Sequence, residues 1–436
     1  MEYRIFGCKT NKYFTDKWLS DPDFASKPGI FVASCVVTEN AKRKWKRFVK
    51  KAAGELADGG KIYLSGCGSL SDGKVSGQFY EEYPELRAFR ERIELLPEDS
   101  DDVPEYARRG DRRKLTPAER IRTLSSSLAK SNLFTRKYSV IQTGCDNLCT
   151  FCLTVAARGA HKWRPAEEIV AEIAEFAANG GAETVLTGTN VGAWGAGDSN
   201  RFDEGRLPDL LEAIWSGSGI RRVRVSSLGP EFLTDAMLQT FVRKRSHAYV
   251  HLSVQSGSDS VLRKMRRKYG REFLRGRLSA IRGLRREDGV EINIGADLIV
   301  GFPGETDADF EDTLSIVREF GIAQVHAFPF SAHEGMHAVP ASKLPNQISD
   351  AVKSERMDRL SREAEKVRAE FLMRHDGRRL ELLPEGNPTE KAFSGWSENH
   401  IALSEKNFVP DSGFALKKGV PVSGVYRYVP GAEKIG

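Results

Sequence analysis

The sequence predicts an α/β protein in three parts: an amino-terminal parallel α/β domain, a central partial (βα)6 barrel, and a small carboxy-terminal all-β barrel. Three observations carry this. A short apolar run ending on a cysteine occurs three times in the first 67 residues. Beyond residue 137 strand-like and helix-like segments alternate, the rhythm of parallel sheets. After His375 the helical periodicity gives way to short runs separated by turns.

Taken in order, EYRIFG precedes Cys8, GIFVAS precedes Cys35 and KIYLSG precedes Cys67. Helical stretches follow the first two, Asn11 to Leu19 and Glu39 to Leu56. Ligands of open α/β sheets bind beyond the carboxyl ends of the strands, so three thiols are expected on one rim. A charged helix is expected over Glu82 to Leu95. The acidic run Pro97 to Pro104 reads as a solvated linker, with a helix over Thr116 to Leu128 packed across it.

Barrel strands are expected at Tyr138 to Gln142, Thr184 to Thr187, Arg222 to Ser226, Tyr249 to Val254, Ile292 to Val300 and Gln324 to Phe328. Amphipathic helices such as Ala166 to Ala178 and Asp307 to Phe320 lie between them. Six units fall short of the full eight, and the functional rim of such a barrel is at its strand carboxyl ends. A bracing helix from Ile348 to Arg374 carries Met357, Leu360, Ala364, Val367 and Phe371 as one stripe. The divisions expected are 1–96, a linker 97–130, the barrel with its bracing helix 131–374, and the β-barrel 375–436.

Composition bounds the function. The formal charge is +6 on 436 residues, from 66 basic and 60 acidic side chains, an excess that suits a polyanion without requiring one. No apolar run reaches membrane-spanning length and the amino terminus has no secretory pattern, so a cytoplasmic protein with reduced thiols is expected. The basic run KRKWKRFVKK offers Lys42, Arg43, Lys46, Arg47 and Lys50 as phosphate contacts. His251, His326 and His333 receive no role.

All six cysteines lie in the first 152 residues: Cys8, Cys35, Cys67, Cys145, Cys149 and Cys152. The compact Cys-x-x-x-Cys-x-x-Cys places three soft ligands on one loop, suited to an iron-sulfur cluster or zinc. Zinc in a structural site needs a fourth ligand. The one nearby candidate, His161, lies nine residues on. Three thiolates on a four-iron cluster would instead leave one iron open to a cofactor. The widely spaced trio is compatible with packing thiols or with a second cluster.

CDNLCTFC resembles the signature of the radical S-adenosylmethionine superfamily. TGTN (Thr187 to Asn190), VQSGS (Val254 to Ser258), MRRKYGR (Met265 to Arg271) and GADLIVGFPGET (Gly295 to Thr306) resemble its methylthiotransferases, and GCKTN, SCVVTENA and SGCG resemble their amino-terminal domain. The resemblance implies two 4Fe-4S clusters, one on Cys145, Cys149 and Cys152 that cleaves S-adenosylmethionine to a 5′-deoxyadenosyl radical. The other, on Cys8, Cys35 and Cys67, carries the sulfur that a second S-adenosylmethionine methylates. It further implies cofactor binding by Gly188, Thr189, Asn190, Gln255, Ser256 and Arg267.

TGTNVGAWG and AFPFSAHEG are most similar to the branch that methylthiolates C2 of N6-threonylcarbamoyladenosine in the tRNA anticodon loop, at position 37. Isopentenyladenosine and a ribosomal-protein aspartate are the alternative substrates within the family, and a non-catalytic cluster-bearing RNA-binding protein is the alternative outside it. The resemblance also implies an electron donor such as a flavodoxin or ferredoxin, a monomer, and a carboxy-terminal barrel like the RNA-binding TRAM module. One departure stands out: Val155 and Ala156 replace the family's Pro-Tyr ahead of Arg158 and Gly159.

Overall fold

The computed structural model describes residues 1–98, 133–333, 339–411 and 416–432. The linker 97–130, apart from its first two residues, and the helix expected over 116–128 lie outside the described residues.

The amino-terminal sheet has four parallel strands in the order β1 (Glu2–Ile5), β2 (Gly29–Ser34), β3 (Lys61–Gly66) and β4 (Ile93–Leu95). Its register pairs Ile5 with Ala33 and Ser34 with Gly66, so the strands preceding the three cysteines end side by side. The helix expected over 82–95 is instead a 3-10 run, Pro84–Arg92, that leads into β4. Pro84 opens the run without a donor, and β4 is only three residues long, too short to alternate visibly. Helices α1 (Lys9–Leu19) and α2 (Glu39–Glu55) follow β1 and β2. Thr38 caps α2 by accepting from Ala41 N–H at 3.1 Å. Trp45 and Val49, four residues apart, bury the inner face of α2 against Ile62 and Leu64.

All six barrel strands are present: β5 (Lys137–Thr143), β6 (Glu183–Gly188), β7 (Arg222–Val225), β8 (Tyr249–Gln255), β9 (Asn293–Val300) and β10 (Gln324–Pro329). Parallel pairing runs β7-β6-β5 and β8-β9-β10, and single bridges from Val223 and Leu228 join the two halves. Alternation sorts the side chains. Ile141, Leu186, Val223, Val250, Leu252, Ile294 and Leu298 pack outward into one core with helices that include α4 (Ala166–Ala178) and α5 (Asp307–Glu319), while the short α3 (Thr154–Arg158) lies outside that core. The bracing helix, α6 (Asp350–Arg374), buries Leu360, Val367 and Phe371 as its stripe predicts. Arg356 on the same helix is also buried and is neutralised by Glu305 at 2.6 Å.

Beyond α6 comes a five-stranded antiparallel sheet, β11 (Arg379–Thr389), β12 (Ala392–Trp396), β13 (Ala402–Ser404), β14 (Phe408–Pro410) and β15 (Val422–Tyr426), in the order β13-β12-β11-β15-β14. It sits under the amino ends of the barrel strands. Ala248 N–H donates to Glu398 O at 2.7 Å, Asn293 Nδ2 donates to Asn399 O at 2.9 Å, and Glu381 pairs with Arg221 and Arg222. His400 enters the barrel base, stacked on Tyr249 with ring centroids 4.6 Å apart. This domain therefore closes the end opposite the cysteine rim. No described helix is long and apolar enough to cross a membrane.

Candidate active site at the barrel rim

The loop after β5 carries Cys145, Cys149 and Cys152. Gly144, at φ +69°, lets the chain turn there, since a Cβ would lie 1.8 Å from Ala160 O. Gln142 holds the turn: its Nε2 donates to Thr143 O at 2.9 Å and Gly144 O at 2.7 Å, and its Oε1 accepts from Asn190 N–H at 2.7 Å. Asp146 ties the loop to Ser199, whose N–H donates to it at 3.2 Å. Thr150 N–H and hydroxyl are bound by Met265 O and Lys264 O. His161 accepts from Gln142 Nε2 at 2.9 Å and faces Ala196 O through its other nitrogen, so both its nitrogens are engaged away from the thiols.

On the facing rim, Gly7 at φ +125° brings Cys8 against Cys35: a Cβ on Gly7 would meet Cys35 Cβ at 2.7 Å and Sγ at 2.9 Å. Asn11 locks this approach by donating to Phe6 O at 3.0 Å and Ser34 O at 2.8 Å. The GCKTN run thus has a physical role for its glycine and asparagine.

Arg158 joins the two rims. Six residues beyond Cys152, its Nε donates to Cys67 Sγ at 3.1 Å and its Nη1 to Glu98 at 2.5 Å, with both charged groups buried. Asp72 N–H and Gly73 N–H donate to Ala156 O and Ala157 O at 2.8 and 2.9 Å, so at positions 156 and 157 the amino-terminal domain docks on α3 through backbone. That explains why Val155 and Ala156 are accommodated where the family has Pro-Tyr. A second tie runs from Glu39, which faces His333 at 3.2 Å and donates its N–H to Ser331 Oγ.

Burial pushes four thiols up: Cys35 and Cys145 to about 11, Cys67 to about 12 despite Arg158, and Cys149 in the same direction despite Arg267. A metal binding them must displace protons. Cys8 is exposed.

The expected cofactor residues divide. Asn190 is buried, and its Nδ2 has no hydrogen-bond partner among the described residues, an orphaned donor at the rim that suits a polar ligand. Gln255 holds φ +70° at the end of β8, local strain of the kind found at ligand sites. Gly188 lies against Gln142 O, where a Cβ would fall within 2.5 Å, and Thr189 beside it is half-buried. Ser256 points elsewhere: its hydroxyl lies 3.3 Å from Thr313 on α5 and accepts from Ser258 N–H, so it is engaged within the fold instead of facing the rim. Arg267 reaches Cys149 Sγ at 3.6 Å, but Glu231, Ser253 O and Tyr269 already take its other donors. It is an electrostatic neighbour of the thiol with little capacity left for a carboxylate. Gly301 and Gly304 shape the turn after β9, where Glu305 accepts from Gly301 N–H at 2.7 Å.

The basic helix also divides. Lys42 is buried and paired with Glu39, because position 42 falls on the inner face beside Trp45, and this corrects its assignment to phosphate contact. Lys46 pairs with Glu85 at 2.7 Å. Arg43, Arg47 and Lys50 form the exposed stripe.

Sequence reasoning missed the barrel interior. Tyr249 hydroxyl donates to His251 Nδ1 at 2.6 Å, His251 Nε2 donates to Asp297 Oδ1 at 2.9 Å, and His326 Nδ1 lies 3.3 Å from the same oxygen. Against burial, these bonds from His251 and His326 hold the Asp297 carboxyl well below its usual range. Burial lowers His251, and lowers His247 and His400 well below the ordinary imidazole value. Helix α1 lies against this interior through Tyr13, Phe14 and Lys12 on Val140 and Tyr138, and its first residue, Lys9, is drawn down to about 7 by burial and then by Arg224. The available signal was alternation: positions 249, 251 and 253 share the inner face of β8.

Three parallel strands ending on thiols and a triple-thiol loop at a barrel rim define a metal-cluster enzyme scaffold. Residues 139–317 match the Radical SAM superfamily. A threonylcarbamoyladenosine tRNA methylthiotransferase, MtaB, of Thermotoga maritima is 32% identical over 91% of this chain and 89% of its own length. Its namesake in Bacillus subtilis is 27% identical over 98% and 95%. A tRNA-2-methylthio-N(6)-dimethylallyladenosine synthase of Streptomyces coelicolor is 32% identical over 88% and 76%. The chain belongs to the radical SAM methylthiotransferase family, whose cofactors are S-adenosylmethionine and 4Fe-4S clusters.

Proposed function

We propose that this protein methylthiolates C2 of N6-threonylcarbamoyladenosine at position 37 of tRNA. In this reading Cys145, Cys149 and Cys152 hold the cluster that binds S-adenosylmethionine, and Cys8, Cys35 and Cys67 hold the auxiliary cluster. The observation that supports it most is Arg158, which follows the first thiol loop and donates to a thiol of the second trio at 3.1 Å, tying the two thiol-bearing segments together. When bound, the cluster and S-adenosylmethionine supply a radical able to attack a C–H carbon that has no leaving group.

The chain's own residues bind and orient. Gln142 sets the loop that presents Cys145, Asn190 offers its orphaned amide donor to the cofactor, and Arg267 stabilises the Cys149 thiolate. Arg158 does the same for Cys67 while Glu98 keeps its guanidinium in place. The exposed stripe of Arg43, Arg47 and Lys50 contacts the phosphates of the anticodon arm, and the reaction takes place in the cytoplasm, where tRNA is found.

Relatives named for both threonylcarbamoyladenosine and dimethylallyladenosine support the tRNA reading. Nucleoside mass spectrometry of tRNA from cells with and without the protein tests it. Loss of 2-methylthio-N6-threonylcarbamoyladenosine alone is expected; loss of the isopentenyl derivative instead would move the assignment to that branch. Unchanged tRNA nucleosides would refute both.

A further inference from the structure

Lys9 opens α1 beside Cys8, and one helical turn on Lys12 Nζ donates to Tyr138 Oη at 3.3 Å while Tyr13 and Phe14 pack on Val140, positions of β5 that alternate with the outward-facing Ile141, so this face of α1 lies against the barrel interior. The Lys9 side chain is half-buried. No carboxylate lies within ion-pair distance of it among the described residues. Asp297, the acid in electrostatic reach, is engaged by His251, His326 and the Ser227 hydroxyl at 2.9 Å. Arg224, the other cation of this interior, is 7% exposed; among the described residues it has no acidic partner, and its buried Nε makes no hydrogen bond. Its Nη1 faces only His400 at 3.2 Å, and its guanidinium lies over the Tyr249 ring. Lys9 and the buried, unpartnered Arg224 Nε thus face one interior whose acid is already engaged, an arrangement that an arriving anion would complete by accepting from both.

We propose that Lys9, backed by Arg224, determines substrate choice by binding an anionic group on the base, and that this anion is the carboxylate of the threonylcarbamoyl substituent. The inference rests on the function proposed above and adds what that reading lacks, a chemical reason for preferring this base. Isopentenyladenosine carries no charge and offers neither group an anionic acceptor. Lys9 lies beside Cys8, so the group it binds is held next to the proposed auxiliary cluster.

The test uses the cluster-loaded full-length protein and three anticodon stem-loops identical except at position 37: the threonylcarbamoyl acid, its methyl ester, and unmodified adenosine. Wild type is expected to bind the acid about 10- to 100-fold more tightly than the ester, the span of one charge-assisted hydrogen bond. Lys9→Gln is expected to bind acid and ester alike while leaving affinity for unmodified adenosine unchanged, with the iron content and the midpoint potential of the Cys8 cluster preserved. Equal binding of acid and ester by wild type overturns the proposal without any variant. Equal losses on all three stem-loops in Lys9→Gln overturn it in favour of a phosphate contact. A shifted cluster potential with the acid preference intact overturns it in favour of a role for Lys9 at the cluster. Tight, selective binding of the acid that survives Lys9→Gln defeats this inference alone, whereas unaltered tRNA nucleosides in a deletion strain defeat the proposed function.

Discussion

Replacing Arg158 by Met leaves Glu98 buried without its partner, and the cost can be worked from the structure. Burial already lifts the Glu98 carboxyl above its usual range, with Arg158 opposing. Without the guanidinium, the cheapest escape is for Glu98 to fold as the neutral acid. Taking a proton at pH 7 onto a group whose unfolded value is about 4.3 costs about 1.4 kcal/mol per pH unit, about 3.7 kcal/mol in all. That falls inside the roughly 3–5 kcal/mol seen when one member of a buried ion pair is removed. The sign follows from a folded-state value raised above the unfolded one. The penalty is small near pH 4, grows as pH rises, and reaches only about 1 kcal/mol at pH 5.

The readout is hydrogen exchange of the β3 amides in the metal-free protein, because Leu96 N–H donates to Leu64 O at 2.8 Å and ties the Glu98 segment to that strand. Arg158→Met combined with Glu98→Leu is expected to recover most of the protection. A loss that is the same at pH 5 and pH 7, or a double variant no better than the single one, would refute the reasoning.

Other outcomes follow from the same geometry. Cys149→Ala is expected to abolish S-adenosylmethionine cleavage and to lower the iron content from about eight to about four per chain, measured by anaerobic reconstitution with iron and sulfide analysis. In the metal-free reduced protein, Cys8 is expected to alkylate first at pH 8, since burial holds Cys35 near 11 and Cys67 near 12 and leaves roughly a thousandth or less of each as thiolate. Peptide mass spectrometry that finds Cys67 labelled as fast as Cys8 would contradict the buried rim. Replacing Arg43, Arg47 and Lys50 together by Ala is expected to flatten the slope of log affinity for tRNA against log salt by about 0.7 to 0.9 for each phosphate no longer neutralised. Lys42→Ala is expected to leave that slope unchanged and to lower thermal stability instead.

The sequence by itself determined the six barrel strands, because buried parallel strands are short apolar runs bounded by turns and carry their own signal. It likewise placed Cys8, Cys35 and Cys67 at three strand ends and the other three thiols on one loop. The identity of each ligand type and its local setting are properties of neighbours in the chain. Tertiary structure alone decided which groups face one another. Nothing in VAARG announces that Arg158 spans to Cys67, whereas the inward turn of Lys42 was legible in KRKWKRFVKK, three residues before Trp45 and seven before Val49 on one helical face. The place of Ser256 after β8 suggests the rim, yet its hydroxyl meets Thr313 on a helix 57 residues away. The three-residue strand β4 is illegible in the sequence because a run so short has no period, and only β3 beside it supplies its hydrogen bonds. Charge balance is likewise a three-dimensional quantity. Lys9 meets an interior without a free carboxylate only once folding has laid α1 against the inner face of β5 and engaged Asp297 with two histidines.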